Sequence, residues 1–434
     1  MIKTLTILTA LAYPQPDSTF TLQDALATAL ENNYQIRLER KNLEVAKNNN
    51  SAGNAGMLPT VALSGGANQS IRNTEQTLEF GDGPVTQSRD GAKSTSYSAG
   101  IDMEWTLFDG MKMFTTKDKL GALESTNKLA LKSRIETTLA DVIKAYFSTS
   151  LEEERLELMK SSLKVSEERV KISKQKYDVG KASKMEYLQA QVDLNTDKSA
   201  LVKQQEMIIA QKLQLWQMLG TVAPDSSVNL EYNYTPNASL SLESLQENSL
   251  NLNPNLQFLK SQSHTNYLAV KEFRQDVWPK LVFNLGYNYS NQQNEVGVLR
   301  GNQATGLSYG LSANMTVFDG WNQRRQIQNA RVNLERSEIT YHEAETQIIS
   351  SLRTAYLTFQ NALQLITLEE QNLEVARENE SIALERYRVG KSNALEIREA
   401  QRNAISAEVR YLEAIHTANM AEVELMRLSG QLLD

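Results

Sequence analysis

Glu396 and Glu399 stand three residues apart in a stretch of helical apolar spacing, so they share one helix face. Two carboxylates so placed either activate water in a catalytic site or hold and select cations. The first role needs partners that this chain does not offer. It contains no P-loop, no G-x-G-x-x-G and no H-E-x-x-H, and Tyr341-His342-Glu343 lacks the second histidine of a zinc site. His264, His342 and His416 are scattered over predicted helices and read as surface or packing residues. Glu152-Glu153-Glu154 reads as a solvated helix face. The absence of cysteine excludes disulfides, thiolate metal sites and cysteine nucleophiles together. No catalytic residue, metal site or cofactor emerges, and the chain does not read as an enzyme. Taken alone, Glu396 and Glu399 are most simply a solvated surface.

Their setting changes that. Just before them lies Tyr387-Arg388-Val389-Gly390-Lys391, and the same pattern stands at Tyr177-Asp178-Val179-Gly180-Lys181. Each ends a long helical pattern and is followed at once by another. Residues 111–177 contain no proline and one glycine, Gly121, and residues 321–387 contain neither. An unbroken helix of that length would span about 100 Å, which predicts an elongated object with the Val-Gly turns at its tips. Leu156, Leu163, Val170 and Tyr177 are spaced by seven, as are Leu158, Val165 and Ile172. In the second half Leu368, Val375, Ile382 and Val389 repeat the spacing, while Glu380 interrupts the register of Ile366, Leu373 and Tyr387. Strict sevens signal coiled-coil packing. Two apolar stripes per helix suggest neighbours on both sides, as in a cylinder, although a plain coiled coil fits the heptads equally well. Shorter helices return from the tips, over residues 184–219 and about 392–428.

The chain is a duplication. Phe108-Asp109-Gly110 recurs as Phe318-Asp319-Gly320, Ala145-Tyr146 as Ala355-Tyr356 and Gly220 as Gly430, each 210 residues on. Upstream the offset is 220, pairing Leu22 with Leu242, Asn33 with Asn253 and Pro59 with Pro279. One ten-residue length difference, between Pro59 and Phe108, reconciles the halves and predicts an exposed, variable loop.

The period changes from 3.6 to 2 after both prolines, making Pro59 and Pro279 helix–strand junctions. Leu281, Phe283, Leu285, Tyr287 and Tyr289 alternate with small or polar residues, as do Leu307, Tyr309, Leu311, Ala313, Met315 and Val317. Tyr97, Ala99, Ile101, Met103, Trp105 and Leu107 do the same in the first half, and a weaker strand runs over 61–71. Each half thus predicts one hairpin of strands about ten residues long, with long hydrophilic tips over 68–94 and 291–305. This is the alternation of a transmembrane β-barrel. Four strands cannot close a barrel, for which about eight is the minimum, so several chains must contribute. No run approaches the ~20 apolar residues of a membrane-spanning helix. Residues 1–12 look like a short secretory signal ending Ala10-Leu11-Ala12. A net charge of −7 gives no footprint for nucleic acid.

The plan that results is a signal (1–12), first-repeat helices (13–58), a β-hairpin (59–110), a long helix pair with its tip at 177–183 (111–219) and a connector (220–240). Second-repeat helices (241–278), a second hairpin (279–320) and a second helix pair with its tip at 387–393 (321–430) complete it. This duplicated helix-hairpin-helix-turn-helix plan, with its Phe-Asp-Gly hairpin ends and its two Tyr-x-Val-Gly tips, resembles the TolC-type outer-membrane efflux proteins. The fold class expected is mostly α with a membrane β-barrel portion. The resemblance implies a homotrimer, with twelve strands in one barrel set in outer-membrane lipid and continued across the periplasm by a long α-helical barrel. It also implies tips at Val179, Gly180, Val389 and Gly390 that dock on a periplasmic adaptor linked to an inner-membrane transporter. Glu396 and Glu399 resemble the family's acidic rings at the periplasmic entrance, and Tyr387 and Glu186 resemble its entrance latch. Where a well-studied latch has arginine, this chain has Ser392. The absence of cysteine sets the chain apart from lipid-anchored members. Small-molecule or drug efflux is the function expected. A duct for protein secretion, or a soluble coiled-coil scaffold, remain the alternatives.

Overall fold

The computed structural model describes residues 20–81, 83–222, 228–231 and 234–432. The expected signal at 1–12, and Pro224 in the connector, lie outside them. The elements run α1 (Leu22–Asn32), α2 (Tyr34–Asn49), β1 (Thr60–Phe80), β2 (Gly83–Phe108), α3 (Lys112–Asp178) and α4 (Lys184–Leu219). The second repeat follows as α5 (Leu242–Leu252), α6 (Pro254–Gln275), β3 (Lys280–Asn294), β4 (Gly301–Asn314), α7 (Asn322–Arg388) and α8 (Ala394–Ser429). α3 and α7 both have 67 residues, and α4 and α8 both have 36.

Asparagine makes the bend between the first two helices of each repeat. Asn33 Oδ1 accepts from the amides of Gln35 and Ile36, while its Nδ2 donates to the Met218 carbonyl (2.6 Å). Asn253 repeats the arrangement with Asn255, Leu256 and the Leu428 carbonyl (3.0 Å). One side chain thus caps a helix start and satisfies an orphan carbonyl at another helix's end. The glycines that close those ends, Gly220 and Gly430, are left-handed at φ 77° and 75°. A Cβ on Gly220 would lie 2.3 Å from the Asn32 carbonyl oxygen, so glycine is required for close approach as well as for backbone conformation.

The strands form one antiparallel sheet in the order β1-β2-β3-β4. Its register puts Leu63, Ile101, Tyr287 and Leu307 in one row and Val61, Met103, Leu285 and Tyr309 in another, both on the same face. The opposite face carries rows such as Ala62, Asp102, Gly286 and Ser308. The apolar face is exposed to its surroundings. Strand lengths depart from expectation. β1 and β2 have 21 and 26 residues, pairing through to Phe80 and Gly83 where a long loop was expected. β2 pairs with β3 only as far as Ser94, so from about Arg72 to Ala92 the hairpin is a two-stranded ribbon. Such a ribbon meets water on both faces, which removes the alternation that marks a strand in sequence. β3 and β4 have 15 and 14 residues, and β4 stops at Asn314, short of Met315 and Val317.

The chain falls into two compact units: the described parts of Met1–Asn42, Lys128–Phe258 and Tyr341–Asp434, and those of Leu43–Asn127 and Leu259–Thr340. The first has duplicated cores. In one, Ala25, Ala29, Leu139, Tyr146, Leu215 and Leu219 pack together; in the other, Leu245, Leu256, Leu352, Phe359 and Leu425. The second unit holds the sheet and the helix ends that flank it, joined by the ion pairs Lys112–Asp276 and Lys119–Glu272.

Candidate functional site at the helix tips

Each tip closes by the same hydrogen bonds. Gly180 N donates to the Tyr177 carbonyl (2.9 Å) and Lys181 N to that of Lys176 (2.7 Å). Gly390 donates to Tyr387 (3.2 Å) and Lys391 to Arg386 (2.8 Å). This is the Schellman pattern, which needs a left-handed residue, and the two glycines have φ of 73° and 76°. Ser183 and Asn393 then cap α4 and α8. Val179 and Val389 are 68% and 65% exposed, and no atom lies within 4 Å of where a Cβ on either tip glycine would sit. The tips therefore present apolar side chains and bare backbone to whatever meets them.

Tyr387, in the last turn of α7, is fully buried against Ile172 and Ile397. Its hydroxyl donates to Glu186 Oε1 of α4 (3.0 Å), tying the second hairpin to the first. Burial, and then the hydrogen bond to Glu186, push the phenol pKa up, so the hydroxyl stays protonated. Tyr177, at the equivalent place in the first repeat, instead stacks on Tyr187 and is partly exposed.

Glu396 and Glu399 both lie on the exposed side of α8, with Ile397 and Ala400 buried beside them. Glu396 accepts from Ser392 Oγ (2.7 Å) and Asn393 Nδ2 (3.2 Å), and stands 3.9 Å from Arg386. Glu399 is 3.6 Å from Arg402. Ser392 therefore holds a carboxylate of its own hairpin. α8 itself begins at Ala394, two residues later than expected. Pro59 and Pro279 immediately precede β1 and β3.

Sequence reasoning missed a charged network within the first few turns behind the tips. Arg169 of α3, 1% exposed, pairs with Asp193 of α4 (2.6 Å). Arg398 of α8 reaches Asp193 (3.8 Å) and Asp197 (3.3 Å). Ser166 donates to Asp197 (2.6 Å), and Gln401 donates to Ser166 (2.9 Å) and to the Ser162 carbonyl (3.0 Å). The available signals were the i,i+4 spacing of Asp193 and Asp197 and the i,i+3 spacing of Arg398 and Gln401.

A sheet with an exposed apolar face, joined to paired 67-residue helices, is the fold of outer-membrane channels. The family described as outer membrane efflux protein matches residues 25–221 and 245–431, one match to each repeat, and the chain belongs to that family. It is 20% identical to the outer membrane efflux protein BepC of Brucella suis over 95% of this chain and 86% of that protein. It is 24% identical to the toluene efflux pump outer membrane protein TtgC of Pseudomonas putida over 94% of this chain and 82% of that one. The CmeC outer membrane channel of Campylobacter jejuni superposes with a TM-score of 0.79 at 14% identity, covering 94% of this chain and 85% of that one. The protein is an outer-membrane efflux duct that extends into the periplasm. Among the described residues no helix is long and apolar enough to cross a membrane.

Proposed function

We propose that three copies of this chain form one duct, the exit component of a tripartite export system for small molecules or drugs. The observation that carries the assembly is the sheet, whose outer strands β1 and β4 are each paired on one side only. Four strands are too few to close, and unpaired edges cannot face lipid. Pairing β4 of one copy with β1 of the next closes the sheet, and three copies supply twelve strands. The helices support the same arrangement. Leu368, Val375, Ile382 and Val389 form a seven-residue stripe along α7 that is more than half exposed in the single chain. Met185, Leu188, Val192, Val202, Ile209 and Leu213 of α4 are exposed as well. Packing between copies covers both.

In that assembly Val179, Gly180, Val389 and Gly390 meet the hairpin of a periplasmic adaptor, which links the duct to an inner-membrane transporter. Glu396 and Glu399 form rings of three carboxylates each at the entrance, and the Tyr387–Glu186 bond is its latch. The duct works as a channel, with no bond made or broken in its cargo. The similarity to TtgC, the outer-membrane protein of a toluene efflux pump, supports this cargo class. The test is purification from outer membranes followed by export assays in a deletion strain. Heat-modifiable trimers co-purifying with an adaptor and transporter, with drug accumulation in the deletion strain, are expected. Retention of a secreted protein with drug sensitivity unchanged would overturn the cargo assignment.

A further inference from the structure

We propose that Asp102 sets a charge selectivity in the barrel itself, favouring cationic over anionic cargo at a level separate from the helix tips. The inference rests on the three-copy duct and deepens it. Residues alternate between the two faces of the sheet, and Asp102 lies on the face opposite the apolar rows. On that face, from Lys280 and Asn314 at the base to Ser70, Ser94 and Asn294, the described residues are neutral except for three: Asp102, Glu104 and Lys280. Glu104 and Lys280 stand 3.9 Å apart and offset one another. Among the described residues no cation pairs with Asp102, which accepts only from Ser64 Oγ (3.5 Å) and Asn288 Nδ2 (3.4 Å). Asp102 is therefore the uncompensated charge of a neutral wall.

The neighbouring backbone makes room for it. A Cβ on Gly286 would lie 2.7 Å from Asp102 Oδ1, and one on Gly100 would lie 1.9 Å from Asn288 Oδ1. Asp102 of β2 thus lies across Gly286 of β3, while Asn288 of β3 lies across Gly100 of β2. Glycine weakens a strand interior, and these two hold a carboxylate and its amide donor against the wall. Three copies place three such carboxylates at one height, and lumen-facing charge tunes the selectivity of a barrel. Twelve strands about 4.8 Å apart and tilted by about 40° set the wall roughly 12 Å from the axis. Charges are screened beyond about 10 Å at 0.1 M salt and beyond about 3 Å at 1 M. The ring acts across the lumen in dilute salt and only along the wall in concentrated salt.

The test takes the ratio of cation to anion permeability from the zero-current potential of the full-length trimer in planar bilayers under a potassium chloride gradient. Glu396→Ala with Glu399→Ala forms the background, so that those two carboxylates contribute nothing. Asp102→Asn, nearly unchanged in shape, should lower the ratio by about twofold near 0.1 M salt and leave it unchanged near 1 M. Lys280→Gln, which frees Glu104, should raise it. A ratio that ignores Asp102→Asn in dilute salt, or a change that persists undiminished at 1 M, overturns the proposal. Should Asp102→Asn not form heat-resistant trimers, Lys280→Gln decides, and a ratio that fails to rise overturns it equally. A wild-type protein that forms no channel sinks the duct reading as well, whereas a working channel indifferent to both substitutions removes only Asp102.

Discussion

The Lys176 ammonium lies 3.6 Å from the centre of the Tyr387 ring and donates a 2.6 Å hydrogen bond to the carbonyl of the same residue. One lysine of the first hairpin thus grips both the ring and the backbone of the last turn of α7, while Glu186 takes the hydroxyl. Tyr387→Phe leaves the ring in place and removes only the hydroxyl bond, which is worth about 1.5–3 kcal/mol when the acceptor is charged. A double-mutant cycle with Glu186→Gln, read by chemical denaturation, should return a coupling of that order. Additivity would show that the two groups do not act as a pair.

Glu424 of α8 accepts from Lys144 (2.6 Å) and Arg427 (2.5 Å). Burial pushes its carboxyl up, but the hydrogen bonds from Arg427 and Lys144 outweigh this and bring it down to about 2. A carboxylate depressed in the folded state stabilises it fully above its ordinary value of 4.5, and this is lost as pH falls through about 2. Glu424→Gln should lower stability at neutral pH and flatten the acid limb of the stability curve. An acid limb unchanged in the variant would refute the assignment.

The tip glycines and the closing glycines should part company on mutation. Gly180→Phe and Gly390→Phe meet open space in the chain itself, so each costs only the left-handed strain, about 1–2 kcal/mol. Trimers should form and insert while export fails, because the new side chain obstructs the adaptor. Gly220→Ala and Gly430→Ala place a Cβ against backbone and should impair folding. Normal export by both tip variants would remove adaptor docking from these residues.

Two rings of three carboxylates at a narrow entrance favour cations and bind multivalent ones. The reconstituted trimer should be cation-selective and blocked by divalent or trivalent cations from the periplasmic side. Glu396→Ala with Glu399→Ala should remove most of that block. Gln189 stands where the first repeat would carry the equivalent of Glu399, so the second tips should dominate. Equal block in the double variant would return both residues to the solvated surface.

Residues around Gly81 to Gly91 should lie outside the cell. An epitope inserted there should be labelled on intact cells with export preserved, since beyond Ser94 the ladder runs between β1 and β2 and the second hairpin reaches it through Glu295, which bonds Lys93. Labelling only after lysis would reverse this topology.

Most of the helical fold can be read in the repeat offsets and the seven-residue spacings, because coiled-coil packing dictates sequence directly. The 210-residue offset recurs in the bounds of α3 and α7 and of α4 and α8. The ribbon of β1 and β2 is hidden because strands wet on both faces need no apolar period. The contact between Tyr387 and Glu186 joins residues 201 positions apart, and only the family resemblance suggests it. The network of Arg169, Asp193, Asp197 and Arg398 is invisible for a different reason. On a coiled coil, charged residues read as solvent-facing until a second helix is laid against them. Glu380 shows the same limit: it breaks the heptad, and burial pushes its carboxyl up, with Glu408 adding to the effect.

Equal helix lengths in the two repeats, 67 and 67, then 36 and 36, bear on how such a chain can change over generations. A substitution alters one contact, but a single inserted residue in α3 rotates everything beyond it by about 100° and breaks the match with α7. Only paired insertions, one in each repeat, keep both hairpins in register. The ribbon between Arg72 and Ala92 carries no such obligation. Length variation among descendants of this gene should therefore collect at the ribbon, while the helices diverge in sequence at constant length.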